Sequence, residues 1–591
     1  MLDVTRGRAE VRAHAVCLVL FYLGCRSLVL LDAGQAGAIE WAFAIGLLID
    51  VLALLALASV AMLPGVRART ARRFWVVLIY LLLVLECQFQ RQTGSYFSAT
   101  LAAYTLTQLA DLWPVLRSTG FDFWLAMLIG TSVWAFGVPV IAGPRLLGLF
   151  ARVLVGVIVL ATTGVGVGAV VDRSGRKLSL FATLVGIPSH SETEASRPPY
   201  PYREPAVVGA DGVPPPDVLI FSFESARAHS VPGFPGGGDK AHMPVLQALQ
   251  DTARSFDAAY TTTSHTSKAL VGILCGVEPM PVMQIVEARH GGLPVACLPR
   301  LLSRLGYRSL FLQSATEDFE RRGGLIHNMG FDDALFREQI EQGYDRSGYF
   351  GVDERALIGP FDRWWITHAD RPRLAVVLTS STHHPYQVPG ERTPRGLRAQ
   401  ARAYQRNLEL SDAVLGELLR RVGPNALLIV TGDHGQAFGE HGLLQHDAVP
   451  YEEVLRVPLV LRLPNGAAGD TRDRALRTHL DILPTVLDAT GARWQGQLPG
   501  RSLLQPEGHA ELMTRCWWAA SCAARITLRE KWILFPPTAS QAMFRLHDDP
   551  EERRDLAPSR DEIEREAMRD TIERHAASLR AFYAGRAIAT P

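Results

Sequence analysis

The sequence predicts an α/β protein in two parts: a bundle of five transmembrane helices over residues 1–172, and an exported domain over residues 217–591 with a central, mostly parallel sheet. A linker spans residues 173–216. Three observations predict this. Long runs within the first 175 residues carry almost no charge. From Asp217 onward, short apolar runs alternate with amphipathic stretches. Between the two, residues 196–205 and 213–216 are rich in proline.

The overall composition fits a membrane segment fused to a globular domain. Of 591 residues, 20% are charged and 48% hydrophobic, and the mean hydropathy is +0.10. A soluble chain averages about 25% charge. With 60 Lys plus Arg against 59 Asp plus Glu, the net charge is +1, which excludes the strongly basic balance of a nucleic-acid binder.

Spanning the hydrocarbon core takes about 20 apolar residues. The candidate segments are 15–31, 39–63, 74–87, 123–142 and 149–171. Lysine and arginine collect on the cytoplasmic side of such segments. One side carries Arg6, Arg8, Arg12, Arg67, Arg69, Arg72, Arg73, Arg145 and Arg152; the other carries Arg91, Arg117, Arg173, Arg176 and Lys177. The richer side holds the N-terminus, so the expectation is a membrane crossed five times, with a cytoplasmic N-terminus and the large domain on the other side. Of seven cysteines, Cys17, Cys25 and Cys87 fall in the membrane segments. Cys275, Cys297, Cys516 and Cys522 fall in the exported domain, an even number suited to an oxidising compartment. Three pairings are possible, and proximity in sequence favours Cys275 with Cys297 and Cys516 with Cys522.

In the exported domain, residues 218–223, 308–312, 374–378, 426–430 and 457–461 read as strands, and 243–253 and 398–421 as helices. Such alternation gives a parallel sheet covered by helices, with ligands gathered at the carboxyl ends of the strands. Polar residues crowd three of those ends: Glu224-Ser225-Ala226-Arg227, then Thr379 through His383-His384-Pro385, then Asp433-His434 running on to His441 and His446. A fourth cluster, Thr261 to Lys268, precedes a helix. The carboxylates of Glu224 and Asp433 with the imidazole of His434 form an oxygen and nitrogen set suited to zinc or manganese, with magnesium possible. Thr266 stands at a helix start, where backbone N–H groups favour an arriving phosphate. A hydroxyl beside a divalent ion there is an activated nucleophile.

The string Thr431-Gly-Asp-His-Gly-Gln-Ala-Phe-Gly-Glu-His-Gly resembles the metal-binding signature of the alkaline phosphatase/sulfatase superfamily. Val457-Pro-Leu-Val, Asp481-Ile-Leu-Pro-Thr-Val-Leu-Asp and Leu546-His-Asp-Asp-Pro-Glu-Glu-Arg-Arg-Asp-Leu resemble further landmarks, so the likeness covers about residues 217–560. Together with five N-terminal crossings, the domain resembles the lipoteichoic acid synthase and phosphoethanolamine transferase branches. The resemblance implies metal-site roles for Glu224, Thr266, Asp433 and His434, with Thr266 the nucleophile. It implies that His383 contacts the substrate phosphate and that His446 binds a second metal or protonates a leaving group. Arg321 or Arg322 matches an arginine that holds the donor headgroup, and Arg227 is a further substrate-binding candidate.

The resemblance also implies a function. A phosphorylated headgroup passes from a phospholipid donor through phospho-threonine to a glycan or lipid acceptor of the envelope. Sulfatases of the family carry Cys or Ser in a Cys-x-Pro-Ser-Arg-like motif. Here the site reads Thr266-Ser267-Lys268-Ala269, which argues against sulfate-ester hydrolysis. Phosphoethanolamine transferases usually show Glu after Asp-His-Gly and Pro-Cys after the nucleophile; here stand Gln436 and Leu270-Val271, favouring the phosphoglycerol type. Ethanolamine transfer and ester hydrolysis remain the alternatives, and Ser267 is the rival nucleophile.

Overall fold

The structure, a computed structural model, describes residues 199–209, 215–235, 239–340, 343–446, 450–466, 472–517, 522–535 and 540–587. The five expected membrane segments, with Cys17, Cys25 and Cys87, lie outside the described residues. Among the described residues no helix is long and apolar enough to cross a membrane. The elements named below belong to the compact unit formed by residues 190–440 and 444–591.

Its centre is an eight-stranded sheet. In chain order the strands are β1 (Val218–Phe223), β2 (Arg254–Tyr260), β3 (Arg308–Gln313), β4 (Asp333–Leu335), β5 (Arg373–Leu378), β6 (Leu427–Gly432), β7 (Leu459–Arg462) and β8 (Arg472–Thr478). Their spatial order is β8-β2-β7-β6-β1-β5-β3-β4. β1, VLIFSF, is buried at every position, as expected for a parallel strand covered on both faces. β6, β1, β5, β3 and β4 run parallel. β7 is antiparallel to both β6 and β2. The apolar run at 457–461 gave a strand in sequence but not its direction.

Helices cover both faces. Leu270, Ile273 and Leu274 of α2 (Thr266–Cys275) and Ile482, Leu483 and Val486 of α6 (Ile482–Ala489) pack into one core. The opposite core takes Leu246 and Leu249 of α1 (Pro244–Thr252), Phe361 and Trp365 of α4 (Ile358–Thr367), and Tyr404, Leu408 and Leu415 of α5 (Leu397–Val422). The intervening α3 spans Arg322–Met329. Every residue of α2 is buried, so the helix bearing Thr266 is part of the core rather than a surface element.

Beyond the main sheet, β9 (Leu512–Arg515), β10 (Ala523–Ile526), β11 (Glu530–Phe535) and β12 (Ser540–Arg545) form an antiparallel sheet, followed by α7 (Glu562–Ala587). Part of the expected linker is structured. Arg203–Val208 pairs antiparallel with Arg493–Gln497, and the rings of Tyr200 and Tyr202 pack against Phe582, the second edge-on. Pro201 and Pro205 obscure this strand in the sequence, because proline cannot donate to a ladder and reads as a linker.

Two disulfides join Cys275 to Cys297 and Cys516 to Cys522. The first closes a loop of sequence separation 22 at the end of α2. Replacing both Cys275 and Cys297 by serine is expected to lower unfolding free energy by about 3 kcal/mol, since that loop becomes unconstrained in the unfolded chain. Urea unfolding of the full chain in detergent measures this, and a loss below about 0.5 kcal/mol would contradict it.

Candidate active site

Strand register builds the site. In the parallel pair β1 and β6, Phe223 lies opposite Gly432, so the next residues, Glu224 and Asp433, emerge side by side at the carboxyl edge. Ser222 of β1 lies opposite Leu378 of β5, which brings Thr379 alongside, and its Oγ1 accepts from the Glu224 N–H at 3.0 Å. The chain turns sharply at Ser225 (φ 52°). The Ser225 N–H donates to Asp433 Oδ1 (2.7 Å) and its hydroxyl donates to Glu224 Oε1 (2.5 Å). Gly435 is required by a close approach: a Cβ there would sit 2.2 Å from the Glu453 carbonyl oxygen.

Ligand-capable atoms of Glu224, His434 and His446 all lie within 4.8 Å of one another, and all three residues are buried. Both imidazoles have a fixed tautomer. His434 Nδ1 lies 2.9 Å from the Gly435 carbonyl and His446 Nδ1 lies 2.8 Å from that of Ser264. A carbonyl only accepts, so each Nδ1 carries its proton and each Nε2 keeps a lone pair. Such backbone anchoring is usual for imidazoles that bind metal. Burial pushes His434 down to about 3 and also lowers His446, with His434 as its second cause. Both therefore stay neutral, as ligands must.

The carboxylates respond oppositely. Burial pushes Asp433 up to about 6, against the N–H groups of Ser225 and His434 that hold it down. Glu224 is raised by burial and by Asp433. Asp433 Oδ2, 3.6 Å from His434 Nε2, is buried and accepts no hydrogen bond. Two carboxylates sharing a desolvated space with an orphaned oxygen and two neutral imidazoles fit a divalent cation.

Thr266 begins α2, and its Oγ1 lies 3.2 Å from His434 Nε2. The preceding His265 supplies no side-chain cap, which leaves the N–H groups of the first turn for an anion. The rival Ser267 is committed elsewhere: its hydroxyl donates to Glu320 Oε2 at 3.0 Å. Lys268 is likewise spent in a buried ion pair with Glu287, at 2.8 Å.

His383 borders the site, its ring centroid 6.1 Å from that of His446. Its Nδ1 lies 2.8 Å from the His384 carbonyl, and burial lowers its pKa. Of the two arginines, Arg321 is exposed while Arg322 is buried. Arg322 Nε and Nη1 are buried without hydrogen-bond partners. Burial lowers the pKa of this guanidinium, opposed by the charges of Glu320, Asp433 and Glu224. Arg227, the further substrate-binding candidate, is engaged with the protein itself. Its guanidinium pairs with Glu440 at 2.6 Å and donates to the Gln436 carbonyl and Ser230 Oγ. An arginine engaged on three sides braces the Asp-His-Gly loop. Sequence reasoning missed Glu320; its only signal was an acid immediately before an arginine pair.

Residues 216–492 match the family model described as Sulfatase. A protein described as "Uncharacterized sulfatase YidJ" from Escherichia coli K12 is 27% identical over 183 residues, 24% of this chain and 36% of that relative. A putative extracellular sulfatase Sulf-1 homolog from Caenorhabditis elegans is 38% identical over 93 residues, 15% of this chain and 13% of that relative. The chain thus spans little more than a third of these relatives at most. A solved protein of the alkaline phosphatase superfamily from Vibrio parahaemolyticus shares the fold, with TM-score 0.51 and 18% identity over 68% of this chain and 93% of that one. Residues 216–492 are thus similar to the Sulfatase family, on a fold shared with that solved protein of the alkaline phosphatase superfamily.

Proposed function

We propose that the protein is a divalent-metal-dependent phosphotransferase that moves a phosphoglycerol-type headgroup from a membrane phospholipid to a glycan or lipid acceptor of the bacterial envelope. The observation that carries this reading is the Thr266 hydroxyl, set at the start of α2 and 3.2 Å from His434 Nε2, where a sulfatase would present a matured Cys or Ser. Two disulfides in the domain support an oxidising compartment. With the charge pattern of residues 1–172, they support a domain outside an inner membrane.

Glu224, Asp433, His434 and His446 would hold manganese or zinc. Bound there, the ion neutralises charge on the phosphoryl oxygens and lowers the cost of ionising a nearby hydroxyl. Thr266 Oγ1 attacks phosphorus, the bond to the glycerol oxygen of the lipid breaks, and diacylglycerol leaves as the alcohol. The N–H groups at the head of α2 and the unpaired nitrogens of Arg322 face charge developing on the phosphate. His383, neutral with its own proton held on Nδ1, keeps Nε2 to take the Thr266 proton and pass it to the leaving oxygen. An acceptor hydroxyl then attacks the phospho-threonine and restores Thr266.

Incubating the full chain in proteoliposomes with labelled phosphatidylglycerol or phosphatidylethanolamine, plus manganese or zinc, tests the reading. Diacylglycerol release from phosphatidylglycerol is expected. Release from phosphatidylethanolamine alone would move the donor to the ethanolamine type. Turnover of an aryl sulfate without any diacylglycerol release would overturn the proposal in favour of the hydrolysis named for the relatives.

A further inference from the structure

Glu320 grips the nucleophile's helix from both sides of Thr266. Its Oε1 lies 3.0 Å from His265 Nε2, the residue before Thr266. Its Oε2 accepts from the hydroxyl of Ser267, the residue after, at 3.0 Å. The same Oε2 accepts from Arg322 Nη2 at 3.2 Å. One carboxylate therefore ties the start of α2 to the arginine whose remaining nitrogens are buried without partners. His265 is held on another side by the Trp517 ring, stacked at 4.4 Å and 23°.

The backbone around Glu320 is unusual. Glu320 (φ 55°, ψ 29°) and Arg321 (φ 55°, ψ 36°) are consecutive non-glycine residues in the left-handed region. Side chains rarely adopt this conformation, and a pair persists only where the surroundings dictate it. Here it turns the Glu320 carboxylate back toward α2 just before the chain enters α3.

From these contacts we propose that Glu320 is a positioning residue: it fixes Thr266 and Arg322 as one unit, so that a phosphate held by the guanidinium meets Thr266 Oγ1 in line for attack. This rests on the reading of Thr266 as the nucleophile. Ser267 and His265 serve as the handles through which Glu320 acts, and Glu320 itself touches no substrate.

Glu320→Gln in the full chain is expected to lower kcat for diacylglycerol release by about 10- to 100-fold, the scale of a misplaced reacting group, while the KM for donor changes by less than about threefold. Ser267→Ala removes one handle without stranding a buried charge. It is expected to cost a few-fold in kcat, and nothing further when added to Glu320→Gln. If Glu320→Gln fails to fold, Ser267→Ala alone decides, through the same split between kcat and KM. Amide exchange across residues 265–268, which needs no substrate, should be faster in each variant. Unchanged exchange, a kcat within twofold of wild type in Glu320→Gln, or fully additive losses in the double variant would overturn the inference. Faster exchange in the variants of a protein whose wild type releases no diacylglycerol would sustain the clamp while overturning the proposed reaction.

Discussion

Replacing Thr266 with alanine is expected to reduce diacylglycerol release by about 10⁴-fold or more, the scale on which removing a covalent nucleophile registers. The fold and metal affinity should survive, because Glu224, Asp433, His434 and His446 remain. Burial makes this a clean substitution: Thr266 is nearly enclosed at the head of a helix with no exposed residue, and alanine is well tolerated there. Thr266→Ser should keep part of the activity, since a hydroxyl still reaches the same space but loses the stiffness of a β-branched side chain. Ser267→Ala should cost only a few-fold, because its hydroxyl bonds to Glu320. Steady-state release from labelled phosphatidylglycerol measures all three. Full activity in Thr266→Ala would remove the covalent mechanism.

The second large effect concerns the metal. Asp433→Asn is expected to weaken manganese or zinc binding by more than about 100-fold, exceeding the cost of losing an outer partner, and to abolish activity with it. The pH dependence carries a sign. Asp433 in the metal-free protein is raised from 3.8 to about 6 by burial, so below about pH 6 a proton occupies the carboxylate and the ion must displace it. Metal affinity therefore rises with pH through that window, and the slope should shrink in Asp433→Asn. Linkage gives the stability counterpart. A carboxyl raised on folding contributes stability that is fully present below pH 3.8 and lost as pH rises through about 6. Relative to Asp433→Asn, the metal-free wild type should lose stability over that range, and added metal should restore it. Calorimetric titrations at several pH values check this. A pH-independent affinity, or wild-type affinity in Asp433→Asn, would contradict the site.

Much of this site was legible because its residues lie at strand ends and in one dense string. Glu224 follows an unbroken apolar run, and Asp433-His434 follows another, so the rule that ligands gather at carboxyl edges placed them together before any coordinates did. Thr266 was legible as a polar cluster breaking into an apolar helix. What was not legible depends on tertiary partners. The ladder of β1 and β6 makes neighbours of residues about 200 positions apart, but nothing local says that β7 runs antiparallel. β2 and β8 went unread because Arg254 and Asp257 interrupt the first and the outer half of the second is polar. Arg227 was a substrate-binding candidate in the sequence, and its pairing with Glu440 depends on a residue distant in the chain. The choice between Arg321 and Arg322 likewise turned on backbone geometry, since the left-handed pair at 320–321 exposes one and buries the other.

The most direct test of the account is intact-mass and peptide mapping of the full chain incubated with phosphatidylglycerol and manganese while acceptor is withheld. The account predicts a phosphoglycerol adduct on Thr266 that disappears on adding acceptor and never forms in Thr266→Ala. An adduct on Ser267, or steady diacylglycerol release with no covalent species under any acceptor condition, would contradict it.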